Sequence, residues 1–230
     1  MNTLSNVKGH EDTINSSFGG LTSDVILKVQ SCKKNENSNI GVSSFFVPVE
    51  NNQWYVLRAT YNRVEKGLDL LKHNVADIYL PKHYRLKQIN GEKKRVYEPL
   101  IPNMIFVYSS KDKLEKLFKD YNELSHFHFY RDKTKSVDFI DKKNPPMIIP
   151  YHEMLNFIKL TSVKNEHIML VEPKHCHYKS GDIVRIIDGD FVGIEGRVAR
   201  VAGQQRVVIE MKGICFVATA YIPSAFISIV

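Results

Sequence analysis

Few of the features that define membrane, secreted or disulfide-bonded proteins are present in this sequence. Only three cysteines occur in 230 residues, Cys32, Cys176 and Cys215, and an odd number at wide spacing argues against a disulfide framework. No apolar run approaches the roughly 20 residues that cross a bilayer. The first thirty residues lack the basic start and the continuous apolar segment of a secretory signal. These absences predict a protein of the reducing cytoplasm, with free thiols and no membrane contact.

The sequence also lacks the motifs that carry enzyme chemistry. No serine lies in a nucleophile elbow, the glycines form no phosphate-binding loop, and the carboxylates form no spaced pair beside a cleft-forming motif. His126 and His128 alternate with Phe127 and Phe129 along one predicted strand, which favours exposed sheet positions over an acid/base pair. The His-Cys-His triplet at 175–177 has no second ligand pair nearby, whereas structural zinc needs four ligands. We therefore expect no enzyme activity, no metal and no cofactor.

Positive charge exceeds negative charge, and the excess is concentrated in one part of the chain. Lys and Arg total 32 against 25 Asp and Glu, a formal net charge of +7. Residues 51–163 hold 20 cations against 13 carboxylates, whereas residues 178–230 hold 6 against 5. A basic run is often only a solvated face, but clustering in one predicted hairpin favours contact with a polyanion such as nucleic acid. The clustered cations are Lys82, Arg85, Lys87, Lys93, Lys94 and Arg95.

The distribution of apolar residues divides the chain into four segments. Residues 1–50, rich in Asn, Ser, Gly and Lys, are typical of a flexible N-terminal extension. Residues 51–163 and 178–230 each carry enough apolar periodicity to form a domain core. Between them, the periodicity weakens over residues 164–177, which predicts a linker that leaves the two domains tethered and mobile.

Strands and helices alternate in the first domain, and hairpins join several of the strands. This order predicts an α+β sandwich with a mainly antiparallel sheet. Ser110 is placed to cap a helix at 111–121, and Pro150 precedes a last helix at 151–161. The predicted strands are 54–59, 77–81, 83–89, 93–98, 103–108 and 126–131, and the first helix is 62–74.

Two local signals mark the centre of this domain. Pro99 and Pro102 precede an apolar strand, and because proline donates no amide hydrogen bond, the paired region should begin near Asn103. Upstream, Asn90-Gly91 separates two β-rich arms and predicts a type I′ hairpin turn, in which both residues take positive φ. A basic hairpin should therefore lead into the central strand.

These residues resemble a known family of transcription factors. The similarity is to the N-terminal (NGN) domain of NusG elongation factors, and it is closest to the specialised UpxY-type and RfaH antiterminators of polysaccharide operons. It is carried by Trp54-Tyr55-Val56, Tyr79-Leu80-Pro81, the basic hairpin, and Glu98-Pro99-Leu100-x-Pro102-Asn103-x-x-Phe106-Val107. Further on, the stretch from Tyr178 to Val198 resembles the KOW motif, which follows the NGN domain in the same family.

The second domain is expected to be a small KOW barrel. Five short β-rich runs between residues 183 and 229 alternate with turn residues, which predicts a five-stranded barrel. Val207, Val208 and Ile209 favour strand over helix, which argues against the helical hairpin that the second domain of RfaH can form.

The resemblance implies a docking site for RNA polymerase on the first domain. In the family, an apolar depression receives the paired clamp helices of the polymerase, as a helix in a groove. The turn at Pro102 should direct Ile101 and Met104 to the surface, whereas Trp54 and Phe106 fit sheet core equally well. The residues at the matching positions are Trp54, Arg58, Ile101, Met104 and Phe106.

The resemblance also implies contacts with nucleic acid and with a recruited protein. RfaH-like proteins touch the non-template DNA strand through the first helix and nearby loops, and a solvated helix face is the alternative. Arg63, Lys66 and His73 are expected on one face of that helix. The residues at the matching positions are Thr60, Tyr61, Arg63, Lys66 and His73. Phe191 either binds a KOW partner, such as ribosomal protein S-ten or Rho, or only closes the mouth of the barrel.

The sequence therefore predicts a monomeric, cytoplasmic transcription antitermination factor that serves specific operons. A general NusG-like elongation factor is a close alternative. A ribosome-associated RNA-binding KOW protein is another, but it predicts a basic second domain, and the count of 6 cations against 5 carboxylates disfavours it.

Overall fold

The structure, a computed structural model, describes residues 49–60, 63–139 and 142–230, with only the backbone of residues 179 and 180. The predicted N-terminal extension, residues 1–50, therefore lies outside the described residues except for Val49 and Glu50. The architecture is α+β with antiparallel sheets, as the sequence predicts.

A five-stranded antiparallel sheet forms the centre of the first domain. Its strands are β1 (Gln53–Ala59), β2 (Asp77–Tyr79), β5 (Met104–Ser109), β6 (Phe127–Phe129) and β7 (Ile148–Ile149). They lie in the order β2-β5-β1-β6, with β7 also paired to β1. Because β5 begins at Met104, directly beyond Pro102 and Asn103, the predicted start of the central strand is confirmed to within one residue.

The three α-helices of the described residues are α1 (Leu68–Asn74), α2 (Lys111–Asp120) and α3 (Tyr151–Ser162). Helices α1 and α2 cover one face of the sheet, where Leu71 and Leu114 join Leu57 and Val107 in one apolar cluster. Ser110 caps α2, as predicted, because its side chain accepts a hydrogen bond of 3.4 Å from the amide of Lys113. Within the described ranges, none of these helices has the length and apolarity needed to span a bilayer.

The first helix is shorter than the sequence predicts. It begins at Leu68 rather than near residue 62, because Gly67 has φ +82°, a left-handed conformation that cannot continue an α-helix. A Cβ atom at Gly67 would lie 2.9 Å from Cδ2 of Leu124 and 3.2 Å from the carbonyl oxygen of Glu123, so a larger side chain would also force these neighbours to shift. Arg63 and Lys66 therefore lie in a turn that precedes α1, and the prediction that they share a helix face with His73 is wrong.

The predicted basic hairpin is confirmed as a separate two-stranded sheet. Its strands are β3 (Lys82–Ile89) and β4 (Glu92–Pro99), and most of their residues are exposed. Asn90 and Gly91 have φ of 53° and 82°, the positive values that the predicted turn requires. At the base of the hairpin, the amide of Leu100 donates a hydrogen bond of 2.8 Å to the carbonyl of Pro81.

A six-stranded antiparallel sheet forms the second domain. Its strands are β8 (Met169–Val171), β9 (His177–Ile186), β10 (Glu195–Val201), β11 (Gln204–Met211), β12 (Cys215–Ala218) and β13 (Ile227–Ile229), in the order β13-β9-β10-β11-β12-β8. β8 lies inside the predicted linker, 164–177. It pairs antiparallel with β12, and Leu170 lies opposite Val217. No pairing joins β13 to β8 among the described residues, so the sheet has two ends where the sequence predicts a closed barrel.

Helix α3 packs between the two sheets and joins their cores. Its Phe157 lies 5.2 Å from the ring of Phe106 and 6.1 Å from that of Tyr79, on the face of the first sheet opposite α1 and α2. The same apolar cluster continues into the second sheet through Val184 and Val207. The two domains therefore share one core in this structure, in contrast to the predicted tethered and mobile arrangement.

Candidate functional site

The strand register brings four of the five predicted polymerase-docking residues onto one face of the first sheet. Trp54 and Arg58 are separated by an even number of residues on β1, so their side chains point to the same side. Met104 lies opposite Arg58, and Phe106 lies two residues further along β5 on the same face. We call this surface, formed by Trp54, Arg58, Met104 and Phe106, the docking face.

The docking face is buried at one end and open at the other. Trp54 and Phe106 have exposed fractions of 1% and 0%, whereas Met104 is half-buried and Arg58 is exposed. The prediction that Ile101 faces the surface is wrong, since its exposed fraction is 6% and it packs in the shared core. The turn instead directs Pro102 outward, and Ile101 continues the buried run that begins at Leu100.

The buried end of the docking face is covered by the protein's own residues. Phe157 of α3 contacts Phe106, and the ring of Trp54 lies 5.4 Å from that of Tyr108 on the neighbouring strand. Beyond α3, the apolar side chains of the second sheet complete the same cluster. An external helix can therefore reach the buried end only if this cover moves.

Two polar contacts tie the second sheet to the first domain. The side-chain amide of Asn156 on α3 donates 2.6 Å to the carbonyl of Glu195, and its oxygen accepts 3.0 Å from the amide of the same residue. The hydroxyl of Tyr130 donates 3.2 Å to the carbonyl of Gly213, in the turn between β11 and β12. Both contacts join side chains to backbone, so the sequence contains no charge pattern or motif that reveals them.

The predicted nucleic-acid residues that the structure describes lie in different local environments. Arg63, Lys66 and His73 are exposed, and the imidazole Nδ1 of His73 lies 2.6 Å from the carbonyl oxygen of Asp69. Thr60 is half-buried at the end of β1, where its amide donates 3.0 Å to the carbonyl of His126. Tyr61 lies outside the described residues.

His126 holds the turn that carries the two cations. Its ring Nε2 lies 3.0 Å from the carbonyl oxygen of Arg63 and 2.9 Å from that of Lys66, so the ring N–H can donate to both. The sequence places His126 on an exposed strand face, but the structure gives it a positioning role that His128 lacks. The alternation of these histidines gave no signal of this difference, because the contact joins residues 60 or more positions apart.

Phe191 lies in the turn between β9 and β10, with an exposed fraction of 4%, and it belongs to the shared core. This placement favours the packing role over direct contact with a partner.

Among the described residues, no three metal-ligating side chains lie together, and Cys176 and Cys215 are free thiols. Burial raises the pKa of Cys215 to about 12, so this thiol is not a nucleophile at neutral pH.

One of the comparisons with known proteins matches the first domain. The family described as "Transcription termination factor nusG" matches residues 52–158, slightly less than half of the chain. That range begins just before β1 and ends within α3, so it contains the whole docking face. A comparison with curated proteins found no match. The family match supports a transcription elongation or antitermination factor related to NusG.

Proposed function

Taking residues 52–158 as a NusG-type domain, we propose that the protein binds elongating bacterial RNA polymerase through the docking face and suppresses pausing or termination. It does so at specific operons, of the polysaccharide type that UpxY and RfaH serve. It acts by binding, without chemistry of its own, as a monomer in the cytoplasm. The observation that carries the proposal is the common face of Trp54, Arg58, Met104 and Phe106.

The burial of Trp54 and Phe106 adds a step to this proposal. The paired clamp helices of the polymerase bind through apolar anchors in a groove, and the apolar part of the docking face is covered by α3 and the second sheet. The second domain must therefore separate from α3, and Phe157 of α3 must move off Phe106, before docking is complete. A partner that binds only the open form shifts the population toward it, and its apparent affinity is lowered by the small open fraction.

Nucleic acid and further partners have separate surfaces in this proposal. Arg63 and Lys66, held by His126, face solvent and are suited to phosphates of the non-template DNA strand. The second domain recruits a protein such as ribosomal protein S-ten or Rho. Because Phe191 is buried in the shared core, it is available to such a partner only after the domains separate.

Two alternatives use the same fold. A general NusG-like elongation factor has the same docking face and differs only in the genes it serves. A ribosome-associated RNA-binding protein needs a basic second domain, and the balance of 6 cations against 5 carboxylates over residues 178–230 favours the polymerase-binding proposal.

The Met104→Asp variant tests the docking face. Met104 is half-buried at the open end, so the chain tolerates a polar side chain there better than at Ile101 or Phe106. We expect capture of purified RNA polymerase to weaken about tenfold or more, because a carboxylate in an apolar contact loses hydration without a partner. The measurement is the dissociation constant from a pull-down titration, with a thermal melt of each variant.

Leu70→Asp is the matched control, since it places the same carboxylate at a half-buried apolar side chain of α1, on the face of the first sheet opposite the docking face. It should bind polymerase as the unchanged protein does. Equal affinities for Met104→Asp and the unchanged protein would refute the docking face.

A further inference from the structure

A cleft of about 210 Å³ lies between the basic hairpin and the segment that follows α3. Tyr84, Arg95 and Tyr97 line it on the hairpin side, and residues 161–166 line it on the other side. Ile168, just beyond that segment, adds apolar surface to the lining. Cavities that hold drug-sized ligands usually measure about 300–1,000 Å³, so this cleft fits only a smaller molecule.

The strand register places these three hairpin side chains on one face. Tyr84 lies opposite Tyr97, and Arg95 lies two residues before Tyr97 on β4, so all three point to the same side of the hairpin. The two tyrosine rings are 4.8 Å apart between their centroids, and the guanidinium of Arg95 lies 4.1 Å from the centre of the Tyr84 ring. The hairpin therefore presents two aromatic rings and one planar cation to the cleft.

One positive charge of the cleft is left without a carboxylate. Lys82, which also lines the cleft, pairs with Glu65 at 2.6 Å, and Arg95 pairs with Glu166 from the opposite wall. Lys164 is exposed, and it forms no ion pair with any residue in the part of the chain that the structure describes. The cleft therefore keeps a single positive charge, two residues from the Arg95–Glu166 pair.

The charge and the rings together define the chemistry that the cleft recognises. His83 also lines it, but burial lowers the pKa of this imidazole, so His83 adds no charge at neutral pH. One free cation matches a ligand with a single negative charge, and the guanidinium of Arg95 has five N–H donors, more than one carboxylate oxygen of Glu166 uses. Aromatic rings pack well against a further planar ring, in offset or edge contact. A small aromatic carboxylate has all of these features.

We propose that this cleft binds a small aromatic carboxylate, with the ring against the Tyr84–Tyr97 pair and the carboxylate between Lys164 and Arg95. The site goes beyond the proposed function, because it gives the chain a small-molecule ligand in addition to its macromolecular partners. One wall of the cleft belongs to the hairpin, and the other belongs to the segment between α3 and β8. A bound ligand therefore ties the hairpin to the segment that connects the two sheets.

The test titrates the full chain with benzoate, benzamide and cyclohexanecarboxylate, and saturation-transfer NMR and calorimetry measure the binding. Benzamide has the aromatic ring without the charge, and cyclohexanecarboxylate has the charge without the planar ring. We expect benzoate to bind with a dissociation constant on the order of 1 mM, as suits so small a ligand. Each of the two analogues should bind at least about fivefold more weakly, because each lacks one of the two recognised groups.

Lys164→Gln should weaken benzoate binding about fivefold or more, since it removes the free charge of the cleft. Lys116→Gln makes the same change at an exposed site on α2, outside the cleft, and it should leave the affinity unchanged. Tyr84→Leu should also weaken binding, because it removes an aromatic ring and keeps an apolar side chain. Tyr121→Leu is its control, since Tyr121 lies outside the cleft and is 37% exposed, against 39% for Tyr84.

Three outcomes would overturn the site: no binding of benzoate up to about 10 mM, an analogue that binds as tightly as benzoate, or equal losses in Lys164→Gln and Lys116→Gln. Because these titrations contain no polymerase, the polymerase pull-down remains an independent observation. Absence of benzoate binding with polymerase capture intact rejects the cleft alone. Benzoate binding without polymerase capture rejects the proposed function and keeps the cleft.

Discussion

Replacing Phe157 with alanine is expected to lower the free energy of unfolding by about 3–5 kcal/mol, the usual cost of deleting a buried phenylalanine ring. Phe157 is fully buried on α3 and contacts the rings of both Phe106 and Tyr79. Its removal leaves a cavity at the point where the first sheet, α3 and the second sheet meet. Chemical denaturation, followed by circular dichroism, measures the change.

Phe139→Ala is the matched control for this prediction. Phe139 is 100% exposed, so deleting its ring should change the free energy of unfolding by no more than about 0.5 kcal/mol. A Phe157→Ala protein as stable as the control would mean that α3 does not pack in the shared core. The proposed cover over the docking face would then be absent.

Replacing Asn156 with alanine is expected to favour the open form without unfolding either domain. The change leaves the amide and the carbonyl of Glu195, which is half-buried, without their side-chain partner. An unsatisfied group of this kind costs about 1–3 kcal/mol, and a coupling of that size corresponds to a change of about 5- to 150-fold in the ratio of open to closed protein. The apparent affinity for RNA polymerase should rise by up to the same factor.

Two measurements check the Asn156→Ala prediction. The first is the dissociation constant for polymerase, and the second is acrylamide quenching of Trp54, the single tryptophan of the chain, which should increase when the cover moves. His152→Ala is the control, since His152 is exposed on the same helix. Unchanged affinity and quenching in Asn156→Ala would show that this contact does not hold the domains together.

Local signals account for the parts of the fold that could be predicted. Asn90-Gly91 takes positive φ because few other residues do so at low cost, and Ser110 caps α2 because a hydroxyl there meets a free amide. Both signals act over a few residues and need no knowledge of the rest of the chain. The same holds for Pro102, which sets the start of β5 by withholding an amide donor.

Contacts between distant segments account for the parts that could not be predicted. A single glycine in a helical pattern is usually tolerated, and only the folded chain shows that Gly67, packed close to Leu124, adopts a left-handed conformation and delays the start of α1 to Leu68. Ile101 is buried because it packs in the shared core. β8 forms because its backbone pairs with strand β12 at the end of the second sheet. Each of these contacts joins segments that are far apart in the sequence, so no local sequence pattern predicts it.

In the candidate site, too, some features follow from local sequence and others depend on contacts between distant segments. Alternation along β1 and β5 places Trp54, Arg58, Met104 and Phe106 on one face, and that follows from the period of a strand. Their accessibility depends instead on α3 and the second sheet, whose contacts through Asn156 and Tyr130 are to backbone atoms. The family resemblance therefore supplied these residues, the strand register places them on one face, and tertiary structure determines how much of that face is open.

The central claim is that polymerase docks on a face that the second domain covers, and a crosslink across the domain contact tests it most directly. The pair Asn156→Cys and Glu195→Cys, in a chain whose native cysteines are replaced by alanine, can be joined by a short thiol crosslinker. The pair Asp69→Cys and Lys72→Cys, whose native side chains are 3.1 Å apart on α1, controls for the crosslinking itself. We predict that the crosslinked 156–195 protein loses polymerase binding by about tenfold or more, while the untreated protein and the crosslinked control retain it. Equal polymerase affinity with and without the 156–195 crosslink would contradict the account.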